Sequence, residues 1–85
     1  MIIQTTRGFD KQYAKLAPKI KIKFKNQLAI FVSDPFEISL RNHALKGKYL
    51  GYRSINITGD VRAVYTIKDN TVIIFGFIGS HSELY

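Results

Sequence analysis

The chain has 85 residues, enough for one domain with a single modest core, and 46% of them are hydrophobic, including six Phe and five Tyr. There is no Cys, which excludes disulfides, thiolate zinc sites, redox chemistry and Cys nucleophiles. Thirteen Lys and Arg against six acids give a formal charge of +7, a balance that suits a polyanion such as nucleic acid, or an acidic protein, and also serves plain solubility.

Ile2 to Thr5 has the make-up of a short strand. Phe9, Tyr13 and Leu16 then recur at i, i+4 and i+7, the spacing of one helical face. Pro18 breaks that helix or opens the next at its first turn. From Lys19 to Lys25 lysines alternate with Ile20, Ile22 and Phe24, as in a strand. A wider window favours a helix over about 18–32, because Ile20, Phe24, Leu28, Phe31 and Val32 fit one stripe. Ser33-Asp34-Pro35 closes it, since a residue before proline resists the helical region. Phe36 to Leu50 is irregular, with Gly47 and Gly51 as punctuation. Three strands follow, Tyr52 to Ile57, Val61 to Ile67 and Thr71 to Ile78, separated by turns at Thr58-Gly59-Asp60 and Asp69-Asn70. Turns this short force antiparallel pairing. The pattern predicts a single α+β domain over residues 1–85, an N-terminal helical hairpin packed on a mainly antiparallel sheet. No apolar run approaches the roughly 18 residues of a membrane span and no signal-peptide layout is present, so a soluble, cytoplasmic chain is expected.

The two histidines, His43 and His81, belong to no spaced ligand cluster. No glycine-rich phosphate loop and no Gly-x-Ser-x-Gly elbow is present. Neither metal nor cofactor is expected. What remains is a polar group in or beside the sheet: His43, Arg53, Asn56, Asp60, Arg62, His81 and Tyr85. Tyr52, Ser54 and Asn56 share one face of their strand, opposite Ile55 and Ile57. A polar, aromatic-bearing sheet face beside a basic helical hairpin can cradle RNA. Each residue also has an ordinary use, His43 in a loop, Arg62 as a solvated strand position, His81 and Tyr85 as a polar tail.

Three segments carry a resemblance. His43-Ala44-Leu45-Lys46-Gly47, leading through Gly51 to Tyr52-Arg53 and a strand, resembles the YafQ branch of the RelE toxins. Gly59-Asp60-Val61-Arg62-Ala63-Val64-Tyr65 is similar to that family's Asp-x-Arg/Leu-x-x-Tyr strand. Gly79-Ser80-His81-Ser82-Glu83-Leu84-Tyr85 resembles its Gly-Thr/Ser-His-x-x-Leu-aromatic terminus. The motifs span residues 43–85, and the N-terminal half agrees in pattern only. Asn56 stands where close relatives carry a strand His, and Phe77 where they carry an Arg. The resemblance implies a RelE-like fold with a small, twisted sheet, metal-independent cleavage of mRNA on the ribosome, and a cognate antitoxin, acidic and partly disordered.

Metal-free RNA cleavage needs a base for the ribose 2′-hydroxyl, an acid for the leaving oxygen and positive charge at the phosphate. His81 suits the acid–base work and Arg62 the phosphate clamp. The resemblance adds His43 and Asp60 to the proton-transfer groups. Tyr85 would stack on a splayed base or orient one, while Lys19, Lys23, Lys46, Lys48 and Arg53 would contact the RNA without reading its sequence. A ParE-like inhibitor of DNA gyrase and a catalytically weak relative that only binds ribosome or antitoxin are the rival expectations.

Overall fold

Thr6 sets the first junction of the chain. Its hydroxyl accepts the Phe9 N–H at 3.1 Å, capping α1 (Arg7–Ala14), and donates to the Gly76 carbonyl at 3.1 Å, which ties the helix end to the sheet. A computed structural model describes residues 1–84. Before the cap runs β1 (Ile2–Thr5). After α1 comes α2 (Pro18–Ser33), with Pro18 in the first turn, where a missing N–H costs nothing. The helix ends at Asp34, as the following proline requires. Then follow β2 (His43–Ala44), β3 (Arg53–Asn56), β4 (Val61–Lys68), β5 (Val72–Ser80) and α3 (His81–Leu84), with 3₁₀ turns at Ile38–Leu40 and Gly47–Tyr49. Among the described residues no helix is long and apolar enough to cross a membrane.

The five strands lie in the order β1-β5-β4-β3-β2. β1 is parallel to β5 and the other pairs are antiparallel, so the sheet is mixed but mainly antiparallel. The fold agrees with the α+β expectation. Two short elements were not legible, β2 inside the irregular segment and α3 in what reads as a polar tail. Both are too short to show a period, and partners distant in sequence hold them.

Helices α1 and α2 cover one face. Phe9, Phe24 and Phe31 meet Tyr65 and Phe75, with ring centroids 5.0–5.9 Å apart in tilted and edge-on pairs. The helical stripe needs one correction. Val32 is 48% exposed, whereas Gln27 is buried at 5%. Gln27 lies on the line between Phe24 and Phe31, and its amide donates to the Asn56 carbonyl at 3.0 Å, which offsets the cost of burying it.

A bulge sets which side chains of β5 enter the core. Val64 pairs with Phe77 and Tyr65 with Phe75, so Gly76 is passed over. Strict alternation would place Ile73, Phe75 and Phe77 on one side. After the bulge Ile78 takes that place, and Ile73, Phe75 and Ile78 are the buried set. Phe77 is sent to the opposite face, where it meets Tyr49 at 5.7 Å and Tyr52 at 6.0 Å. The expectation of a polar outer face therefore holds only at one end. Ser54 is fully buried, and Phe77, a departure from the family pattern, is a packing residue here.

Candidate functional site

Neighbouring strands deliver polar residues to the outer face at one end of the sheet. His43 pairs with Ser54, Asn56 with Arg62, and Arg62 with Gly79, so His43, Asn56 and Arg62 point away from the helices. His81 follows β5 directly as the first residue of α3. Together with Arg41 these four line a cleft of about 320 Å³. Two histidines and two arginines thus line one small volume.

His43 has a defined tautomer. Its Nδ1 lies 2.8 Å from the Arg41 carbonyl. A carbonyl only accepts, so Nδ1 carries the proton and the neutral ring keeps its lone pair on Nε2. Arg41 itself sits at φ 48°, in the left-handed region, where it ends the Ile38–Leu40 turn. For a residue with a Cβ this costs on the order of 1 kcal/mol. Arg41→Gly is accordingly expected to leave stability unchanged or raise it by up to about 1 kcal/mol. Thermal unfolding checks that expectation.

Arg62 is held by its own turn. Nη1 donates to the carbonyls of Thr58, Gly59 and Val61 at 3.2, 3.0 and 3.4 Å. Among the described residues no hydrogen bond uses Nη2 or Nε, so those donors are available to a phosphate.

His81 is fixed from both sides. Its main-chain N–H donates to the Asp60 carbonyl at 2.9 Å. Behind it, the Ser80 N–H donates to Glu83 Oε1 at 2.8 Å and the Glu83 N–H donates to Ser80 Oγ at 3.2 Å. This reciprocal pair is a capping box. A Cβ on Gly79 would sit 3.3 Å from Glu83 Oε1, so glycine leaves the carboxylate its room. Leu84 is buried, and its carbonyl accepts the Tyr49 hydroxyl at 2.7 Å. The main-chain N–H of Ser80, then its hydroxyl, hold the Glu83 carboxyl below the usual carboxylate range, with the charge of Lys15 adding to them. A lowered pKa stabilises the folded state above the unfolded-state value, and the contribution is lost as pH falls through the folded one. Glu83→Ala is therefore expected to speed amide exchange over residues 80–84 at neutral pH. The difference from the parent chain should vanish in acid, below the ordinary carboxylate range.

Other residues singled out in the sequence lie elsewhere. Asp60 is exposed on the β3–β4 turn and meets His81 through its main chain. Arg53 turns toward the helix side, where Nε donates to Asn42 Oδ1 at 2.8 Å and the guanidinium lies 5.3 Å from the Phe36 ring. The structure does not bring it to the cleft, because alternation along β3 sets it opposite Asn56. Lys19, Lys46 and Lys48 are exposed, Lys48 lying over the Tyr49 ring at 5.3 Å, and Lys23 lines a neighbouring cleft. Tyr85 lies outside the described residues. Sequence reading missed Arg41 and Glu83. The Ser80-x-x-Glu83 spacing is a legible capping signal. Arg41 carried none beyond standing two residues before His43.

Metal ligation fits this cleft poorly. Among the described residues no three His, Cys, Asp or Glu side chains cluster, and two guanidiniums oppose a cation.

Several solved structures share the architecture. YafQ from E. coli strain BL21(DE3) matches with a TM-score of 0.80 at 24% identity, over 98% of this chain and 96% of that one. YafQ in the E. coli DinJ–YafQ toxin–antitoxin complex matches with a TM-score of 0.75 at 24% identity, covering 98% of this chain and 94% of that one. A metal-bound toxin from Helicobacter pylori matches with a TM-score of 0.72 at 28% identity, over 100% and 99% of the two chains. No curated protein sequence matches the chain significantly. Helical hairpin and mixed sheet define a small α+β fold that the chain shares with these toxins. All of residues 1–85 match the family described as bacterial toxin of type II toxin-antitoxin system, YafQ, and the chain belongs to that family.

Proposed function

We propose that the chain cleaves mRNA, on the ribosome and without a metal, by attack of a ribose 2′-hydroxyl on the adjacent phosphate. The observation that carries this reading is the cleft that His43, its Nδ1 bonded to the Arg41 carbonyl, shares with His81 and two arginines. His43 Nε2 takes the 2′-proton as the 2′-oxygen bonds to phosphorus. His81 gives a proton to the 5′-oxygen as the P–O5′ bond breaks. The products are a 2′,3′-cyclic phosphate and a free 5′-hydroxyl. Arg62 and Arg41 meet the charge that builds on the phosphorane oxygens. Asp60 acts by fixing His81 through its main chain. Tyr85 stacks on a splayed base, and Lys46 and Lys48 hold flanking phosphates. Asn56 cannot titrate, so in this chain it orients substrate and moves no proton.

An antitoxin is the expected protein partner, since E. coli YafQ forms a complex with DinJ. The +7 charge suits an acidic one. Co-expression with the acidic product of a neighbouring gene should abolish growth arrest.

Primer extension on ribosome-bound mRNA, with and without chelator, tests the ribonuclease reading. New ends that persist in chelator support it. Intact mRNA from a folded chain that instead blocks DNA supercoiling would shift the function to gyrase inhibition.

A further inference from the structure

A second cleft, of about 430 Å³, adjoins the first across Asn56 and is lined by residues that include Lys23, Gln27, Ile30, Ile57 and Gly59. We infer that it holds the nucleotide next to the cleaved phosphate, with Gln27 reading its base. The inference rests on the ribonuclease reading and adds a subsite to it. Asn56 lines both clefts, and the Thr58-Gly59 turn walls the second one. Arg62, in the first cleft, is bonded through Nη1 to the carbonyls of that same turn. A phosphate on Arg62 therefore has its neighbouring nucleotide directed over Asn56 into the second cleft.

The lining has the chemistry a base needs. Half-buried Ile30 offers apolar surface to its flat face. Gln27 is 5% exposed, and its Nε2 is anchored on the Asn56 carbonyl, which fixes the orientation of the amide. Among the described residues no hydrogen bond uses Oε1, and that atom is not among those sealed from solvent. It is a fixed acceptor open to a donor. Exocyclic amines of adenine and cytosine are donors, whereas uracil presents carbonyls on either side of its single ring N–H. Lys23, one turn earlier on α2 and exposed, reaches for the phosphate beyond.

The test uses the full chain, labelled with ¹⁵N, and three probes that cannot be cut: 2′-O-methyl homotrinucleotides of adenylate, cytidylate and uridylate. Shifts of the Gln27 side-chain amide and of Gly59 are expected, with adenylate and cytidylate bound about tenfold more tightly than uridylate. Gln27→Met should level the three affinities. Should that variant fail to fold, Lys23→Ala, at an exposed position, should weaken all three probes alike and preserve their ranking. Shifts confined to Arg41, His43 and His81 would overturn the subsite and leave the ribonuclease reading standing. Equal affinities in the parent chain would likewise overturn base reading by Gln27. Cleavage itself is decided separately, by primer extension.

Discussion

His81→Ala is expected to lower cleavage of ribosome-bound mRNA by about 10²- to 10⁴-fold, the usual worth of a positioned proton-transfer group. The fold should survive. His81 is exposed on α3, and its described contact to Asp60 uses the main chain, which alanine keeps. The capping box of Ser80 and Glu83 does not involve the imidazole. His43→Ala should fall by a similar factor, and a change of leaving group separates the two roles. An RNA with a bridging sulfur in place of the 5′-oxygen needs no acid, because a thiolate leaves unaided. That substrate should restore the rate of His81→Ala and do nothing for His43→Ala, whose deficit is at the 2′-hydroxyl. Rescue of both variants, or of His43→Ala alone, would reverse or remove the assignment drawn from the Nδ1 contact to Arg41.

Arg62→Lys is expected to cost about 10²-fold in kcat, comparable to removing one oxyanion donor. Charge is retained, so the loss isolates geometry. The turn carbonyls of Thr58, Gly59 and Val61 hold Nη1 and so aim the rest of the fork. An ammonium has no second edge to present while it is held. Single-turnover rates at saturating ribosomes measure the effect, with KM expected to move far less. Thermal unfolding guards against a trivial cause. Loss of the turn contacts should cost about 1 kcal/mol, a Tm shift of roughly 4–8 °C for a chain of this size. A kcat equal to that of the parent chain would remove Arg62 from the chemistry and leave it a turn-bracing residue.

The two effects depend on residues of different legibility. His43 and His81 stood out as the two imidazoles of the chain, and Arg62 through its place in a β-rich segment. Nothing local marks Arg41, which lines the cleft at a left-handed position just before β2. Arg53 shows the opposite case. It belongs to a motif that resembles the family pattern, yet the pleat of β3 turns it toward Asn42 and Phe36. Gln27 is absent from the apolar stripe read in the sequence, and its bond to the Asn56 carbonyl explains why the core accepts it. Phe77 reads as a lost arginine, and only its meeting with Tyr49 and Tyr52 gives it a purpose.

Composition, periodicity and turn chemistry by themselves determined the α+β class, the α2 helix, the three C-terminal strands and their antiparallel pairing. These depend on interactions among residues close in the chain, and such interactions leave a period or a turn signal. The tertiary structure alone decided the parallel docking of β1 on β5, the bulge at Gly76, the burial of Gln27 and Ser54, and the gathering of Arg41, His43, Asn56, Arg62 and His81 in one cleft. Those outcomes depend on register between strands far apart in sequence. A shift of one residue exchanges the two faces of a strand without changing its composition.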